Sequence, residues 1–186
     1  MHPVILVFCV FFGFMETDDR MGCGSGSQNV TLERTGFVRC SVVSESGRIF
    51  AVTRADRGLV LEEIREQGER TPYPDAEWNR TEPAIDPVTH FMNIRCIIID
   101  EHDCLWILDG GAATCAKGAK LVQISLAENR VSRLISLDDV VLSRTFNFET
   151  MRIDSAQQTI YITDTQIPEL LVVDLEKGTS HLEQHI

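Results

Sequence analysis

The sequence predicts an all-β protein assembled from repeated four-stranded sheets, and two observations carry that prediction. First, three stretches match one another: "VVSESGRIFAVTR" (Val42–Arg54), "IIDEHDCLWILD" (Ile98–Asp109) and "RIDSAQQTIYITD" (Arg152–Asp164). Each runs from an apolar pair through a polar turn into a short strand, alternating or wholly apolar, that a polar residue closes. Their last residues, Arg54, Asp109 and Asp164, stand 55 apart. Second, "KLVQISLAENRVSRLI" (Lys120–Ile135) and "ELLVVDLEKGTSHLEQ" (Glu169–Gln184) both read strand, turn, strand, with turns at Glu128-Asn129 and Lys177-Gly178. The apolar spacing of two in the matched segments excludes helical repeats, whose period is about 3.6. Four short strands in a unit of about 50 residues match one blade of a β-propeller, which buries its faces only against neighbouring blades. Propellers close with roughly four to eight blades, and Gln28–Ile186 holds about three. The chain therefore reads as a partial propeller, blades one to three over residues 28–186, with further C-terminal blades needed to close the ring.

Residues 1–27 precede that domain. The opening "MHPVILVFCVFFGF" has about a dozen apolar positions, too few to span a bilayer but the size of a secretory h-region. No Lys or Arg precedes it, and the polar "METDDR" follows where small residues are expected. Cys23 in "RMGCGSGS" has a glycine before it and a flexible Gly/Ser tract after it, the setting of a lipidated cysteine, although Arg20 stands where an aliphatic residue is wanted. Export is the expectation, to the extracellular space or, for a bacterial protein, to the periplasm or a lipid anchor. A hydrophobic content of 44% is enough for a packed core. The net charge of −11 repels phosphate backbones, which excludes nucleic acid as a partner.

Along the domain, helical character is confined to "GLVLEEIREQ" (Gly58–Gln67), read as an excursion between strands. Trp78, beside Tyr73 and Pro74, is expected to pack in a small satellite cluster under that excursion. In "IDEHDCLWILDGG" (Ile99–Gly111), His102, Asp103 and Cys104 would suit thiolate chemistry if a base stood beside the thiol. Repetition argues instead for a strand behind a polar turn, with His102 solvated. Cys40, Cys96, Cys104 and Cys115 form an even set compatible with two disulfides in an oxidising compartment. No CxxC pair occurs, which leaves a zinc site without support. Asn29 and Asn79 open Asn-x-Thr glycosylation patterns.

The ordered set "GRIFAVTRADRG", "PYPDAEWN" (Pro72–Asn79), "IDEHDCLWILDGG", "CAKGAKLVQISL" and "TIYITDTQIPELLVVDL" (Thr159–Leu175) resembles the major royal jelly/Yellow family, secreted six-bladed β-propellers of insects with bacterial relatives. The resemblance runs from about Phe37 onward. It implies that Cys104 and Cys115, on either side of the "LW" strand and its glycine turn, are structural partners, and it leaves Cys40 and Cys96 as candidates for a second bridge between neighbouring blades.

Function in a propeller is normally placed at the central channel. Asp109 and Asp164 occupy corresponding points of two blades and either face that channel or cap their strand ends. In "RTFNFETMRID" (Arg144–Asp154), Asn147 and Glu149 are oxygen donors directly before an inner strand, a setting for a hard cation such as calcium. The stretch is also similar to the gluconolactonase/senescence-marker propellers, whose metal-binding Asn stands seven residues before an Asp, as Asn147 does before Asp154. Those enzymes need a Glu before the first-blade strand, where this chain has Val38, Arg39 and Cys40. Two functions follow from the resemblances. One is a secreted protein that binds a small molecule, an amine or quinone-like compound, in its channel. The other is an enzyme, a dopachrome-type isomerase or a metal-dependent lactone hydrolase. No Ser-His-Asp or Cys-His arrangement supports covalent catalysis.

Overall fold

A computed structural model describes residues 37–55, 58–80, 86–112, 117–141 and 146–184. The leader, with Cys23 and Asn29, lies outside the described residues, as does Cys115. Among the described residues, twelve strands form three antiparallel four-stranded sheets. Blade one is β1 (Val38–Val43), β2 (Ile49–Ala55), β3 (Gly58–Ile64) and β4 (Arg70–Pro72). Blade two is β5 (Ile94–Ile99), β6 (Cys104–Asp109), β7 (Lys120–Ser125) and β8 (Arg130–Ser136). A single helical turn, α1 (Asp138–Val141), leads into blade three: β9 (Phe148–Asp154), β10 (Thr159–Asp164), β11 (Glu169–Asp174) and β12 (Thr179–Gln184). Each sheet is a meander in chain order. The fold is that of a β-propeller with three blades.

The first strands converge: β5 packs beside β1 on one side and β9 on the other, so β1, β5 and β9 form the inner edge. Period-two alternation then divides each blade between two seams. On β6, Leu105 and Ile107 join Phe50, Val52, Leu61, Val122 and Ile124 between blades one and two. Trp106 and Leu108, on its other face, join Leu121, Met151, Ile160, Ile162, Leu171 and Val173 between blades two and three. Having a partner on both faces is why "LWIL" has no polar alternation. On the face of blade one turned from blade two, the cross-strand pair Val43 and Ile49 is 60% and 38% exposed.

The polar turns form as their residues dictate. Asp100 Oδ1 accepts the amides of His102 and Cys104, both at 2.9 Å, and its Oδ2 accepts Trp106 Nε1 at 2.8 Å. Asp103 takes a φ of 55°, a left-handed conformation that Asp tolerates, and His102 is exposed in the turn. The expected turns at residues 128–129 and 177–178 are present, with Asn129 and Gly178 at φ 53° and 68°.

The expectation of helical character over Gly58–Gln67 is corrected. Gly58–Ile64 is strand β3, paired along its length with β2, and only Glu66–Gly68 makes a short 3₁₀ turn. Leu59 and Leu61 lie on the core side of this strand, so the demand of β2 for a partner outweighs the helical propensity of Leu, Glu and Arg. Trp78 does pack as a satellite, 5.1 Å from the ring of Phe91 and against the seam between blades one and two. Asn79 is committed to the fold: its Oδ1 accepts the amide of Leu61 at 2.7 Å, and its Nδ2 donates to the carbonyls of Tyr73 and Asp75, both at 3.0 Å. A glycan on that nitrogen would break the tie.

Candidate functional site

The inner edge carries one local distortion three times. In β1, Val38 pairs with Thr53 and Cys40 with Val52, leaving Arg39 as an extra residue between them. In β5, Ile94 pairs with Asp109 and Cys96 with Leu108, leaving Arg95. In β9, Phe148 pairs with Asp164 and Thr150 with Thr163, leaving Glu149. A β-bulge bends its strand and re-aims the side chain of the extra residue, so Arg39, Arg95 and Glu149 are equivalent residues of successive blades.

The arginines link those blades. Arg39 Nε donates to the carbonyl of Arg95 at 3.0 Å. Arg95 Nε donates to the carbonyl of Phe148 at 2.7 Å, and its Nη2 to Asn147 Oδ1 at 2.6 Å. Among the described residues, nothing accepts from the Nη atoms of Arg39 or from Nη1 of Arg95. Burial holds the Arg95 guanidinium below its ordinary pKa, the charge of Arg39 adds to that, and Asp164 and Glu149 oppose it. The two cations therefore feel each other at the inner edge.

The sequence-predicted residues separate into two groups at this same end of the blades. Asn147, Glu149 and Asp164 come together. Asp164 Oδ2 accepts the amide of Asn147, its Oδ1 accepts Gln166 N at 2.7 Å, and Asn147 Nδ2 donates to Thr165 Oγ1 at 2.6 Å. Asp109 stands apart and fully buried. Its Oδ1 accepts the amides of Asn93 and Gly111, each at 2.9 Å, while Oδ2 accepts Met92 N and Lys120 Nζ, each at 2.8 Å. Lys120, 1% exposed, also donates to the carbonyls of Pro87 and His90 at 2.8 Å and of Gly118 at 3.3 Å. Of the two roles open to Asp109 and Asp164, strand-end capping is the one their bonds describe.

A divalent ion is poorly served by these donors. Asn147 Oδ1 is occupied by a guanidinium, and Glu149 stands near that same cation. Among the described residues no group of three or more His, Cys, Asp or Glu side chains is placed to hold a metal.

The described cysteines lie in β1, β5 and β6. Cys40 and Cys96 follow the bulge arginines in "VRC" and "IRC", but Cys40 packs in the seam of blades one and two and Cys96 in that of blades two and three. They point into different layers, and the expected bridge between them is not formed; no disulfide joins Cys40, Cys96 and Cys104 to one another. Cys104 opens β6, and its expected partner Cys115 lies outside the described residues. Burial, then the charges of Asp100 and Asp103, push the Cys104 thiol up, which disfavours a thiolate nucleophile.

Sequence reasoning missed Arg95 and Lys120 and noticed Arg39 only as an obstacle. A signal for the arginines exists: Val38-Arg39-Cys40 and Ile94-Arg95-Cys96 repeat with nearly the blade spacing.

Comparison with known proteins agrees with this architecture. Residues 94–185 match the family described as Major royal jelly protein. Over these residues the chain is similar to the major royal jelly protein family. The family match covers blades two and three and includes Arg95, Asn147 and Glu149. Among solved structures, virginiamycin B lyase from Staphylococcus aureus is 15% identical with a TM-score of 0.52, over 80% of this chain and 41% of that one. The extracellular domain of a one-component system protein from B. thetaiotaomicron is 14% identical with a TM-score of 0.51, over 80% of this chain and 16% of that one. The chain thus spans less than half the length of either. At this identity the likeness concerns the fold alone. No curated protein matches the chain.

Proposed function

We propose that this major royal jelly-like propeller is a secreted protein that binds a small organic molecule at the end of the inner edge where β1, β5 and β9 begin. One observation carries the reading: the same bulge recurs in three successive inner strands and sets a charged residue at the equivalent position of each. Structural needs alone do not call for three charged residues at the inner edge, since apolar residues would serve packing there at lower desolvation cost. Such a ring, with polar donors converging beside a propeller axis, is the kind of site that orients a small ligand.

Thermal melts of the chain with a panel of aromatic carboxylates, aromatic amines and quinone-like compounds test the proposal. A ligand should raise Tm by an amount that grows with the logarithm of its concentration over its Kd, and Arg39→Gln should change the rise. A panel that leaves every melting curve unchanged would count against a channel ligand.

A further inference from the structure

The charge of the ligand follows from the two inner-edge guanidinium groups. We infer that Arg39 and Arg95 form an anion site at the inner edge, so that the channel ligand carries a carboxylate or comparable oxyanion and is bound without a divalent cation. This rests on the channel-binding reading above and specifies its ligand class.

Three features lead to it. Arg95 spends Nε and Nη2 on the Phe148 carbonyl and Asn147 Oδ1, which fixes its plane and leaves Nη1 to donate. Arg39 spends Nε on the Arg95 carbonyl, which places it one blade away and leaves both Nη atoms to donate. The two guanidinium groups are thus anchored by neutral acceptors, the carbonyls and the amide oxygen, with no carboxylate bonded to either of them among the described residues. Their charge is not neutralised by a salt bridge, and planar guanidinium forks match carboxylate oxygens in geometry. A cation entering there would meet two positive charges already in mutual repulsion. An anion relieves that repulsion. Glu149, the bulge residue of the third blade, is the one carboxylate at an equivalent position, and it works against the anion while leaving the fold unaffected, since it is exposed.

Two probes that share an indole ring and differ in charge decide the matter: indole-3-acetate and tryptamine, titrated calorimetrically into the full chain at low salt, with EDTA and again with calcium. Indole-3-acetate should bind, with tryptamine at least about tenfold weaker and no change on adding calcium or chelator. Arg39→Gln should weaken indole-3-acetate about tenfold, and Glu149→Gln should tighten it a few-fold. The Glu149 variant keeps the test decisive if Arg39→Gln fails to fold. Tighter binding of tryptamine, or binding that requires calcium, overturns the anion site and leaves the channel reading standing. Indole-3-acetate binding that neither variant alters overturns it also. Failure of both probes to bind at millimolar concentration overturns the anion site, while the channel reading is decided by the melts with the wider panel.

Discussion

Lys120 is the residue on which the upper end of blade two depends. It is a fully buried cation whose one formal counter-charge among the described residues is Asp109, and its other acceptors are the backbone carbonyls of Pro87 and His90, before β5, and of Gly118. Removing an ammonium from such a site leaves a buried carboxylate unpaired, which costs about 3–5 kcal/mol. Lys120→Met, similar in length and without charge, is therefore expected to lower unfolding free energy by about that amount in urea titration. A loss under 1 kcal/mol would mean that water reaches Asp109. Glu63 gives a milder, pH-dependent case. Its bond to Arg48 Nε at 2.7 Å holds its carboxyl below the ordinary 4.5, because the hydrogen bond and charge of Arg48 outweigh burial. A depressed folded pKa means that the stabilisation is complete above about pH 4.5 and is lost as pH falls through the lower, folded value. The stability difference between wild type and Glu63→Gln should accordingly shrink on acidification below that pH, and a constant difference would show that Arg48 does not stabilise the charged form.

At the level of elements, two glycines of the same backbone conformation separate strain from crowding. Gly47 and Gly118 both have φ of 82°, where a side chain costs about 1–2 kcal/mol. A Cβ at Gly47 meets nothing within 4 Å, whereas one at Gly118 would overlap the Cβ of Pro87 and lie 3.0 Å from its carbonyl oxygen. That carbonyl is an acceptor of Lys120, so the clash would also disturb the buried ammonium. Gly47→Ala should cost about 1–2 kcal/mol and Gly118→Ala roughly 2–4 by thermal or urea unfolding. Equal costs would show that the Pro87 loop gives way freely. Strands and turns of this kind were legible in the sequence because period two and turn chemistry are local. Segment β3 was misread because "LVLEEIRE" has good helix formers, and its strand state comes from β2, which periodicity does not report. The inner-edge site was half legible. Asn147 and Glu149 could be found beside their strand, but one bulged residue in a six-residue strand hardly disturbs the alternation. Arg95 meets Asn147 across 52 positions of sequence, a contact that only the packing of two blades creates.

For the whole molecule, the arrangement is that of a linear array in which each blade is stabilised by its neighbours. Blade two is flanked on both faces: five of the six residues of β6 are buried, and its two sides belong to different apolar clusters. Blade one meets it through one cluster and through Arg48, which crosses the seam to the carbonyl of Leu126 at 2.8 Å and to Asn129 Oδ1 at 2.7 Å. Blade three meets it through the other cluster and through Arg95. Local opening is cheapest where fewest contacts are lost. In this chain β12, with alternating exposed and half-buried residues at the outer edge of blade three, should open well before β6. Native-state hydrogen exchange is expected to protect the amides of β6 and β7 about a hundredfold more than those of β12, a difference of roughly 3 kcal/mol in opening free energy. Met151→Ala, which empties the seam between blades two and three, should lower the protection of blade three first and leave the Phe50–Leu61–Leu105 seam the more protected of the two. If instead all three blades lose protection together by the same amount, the array opens as one cooperative unit, and the independence of its two seams is refuted.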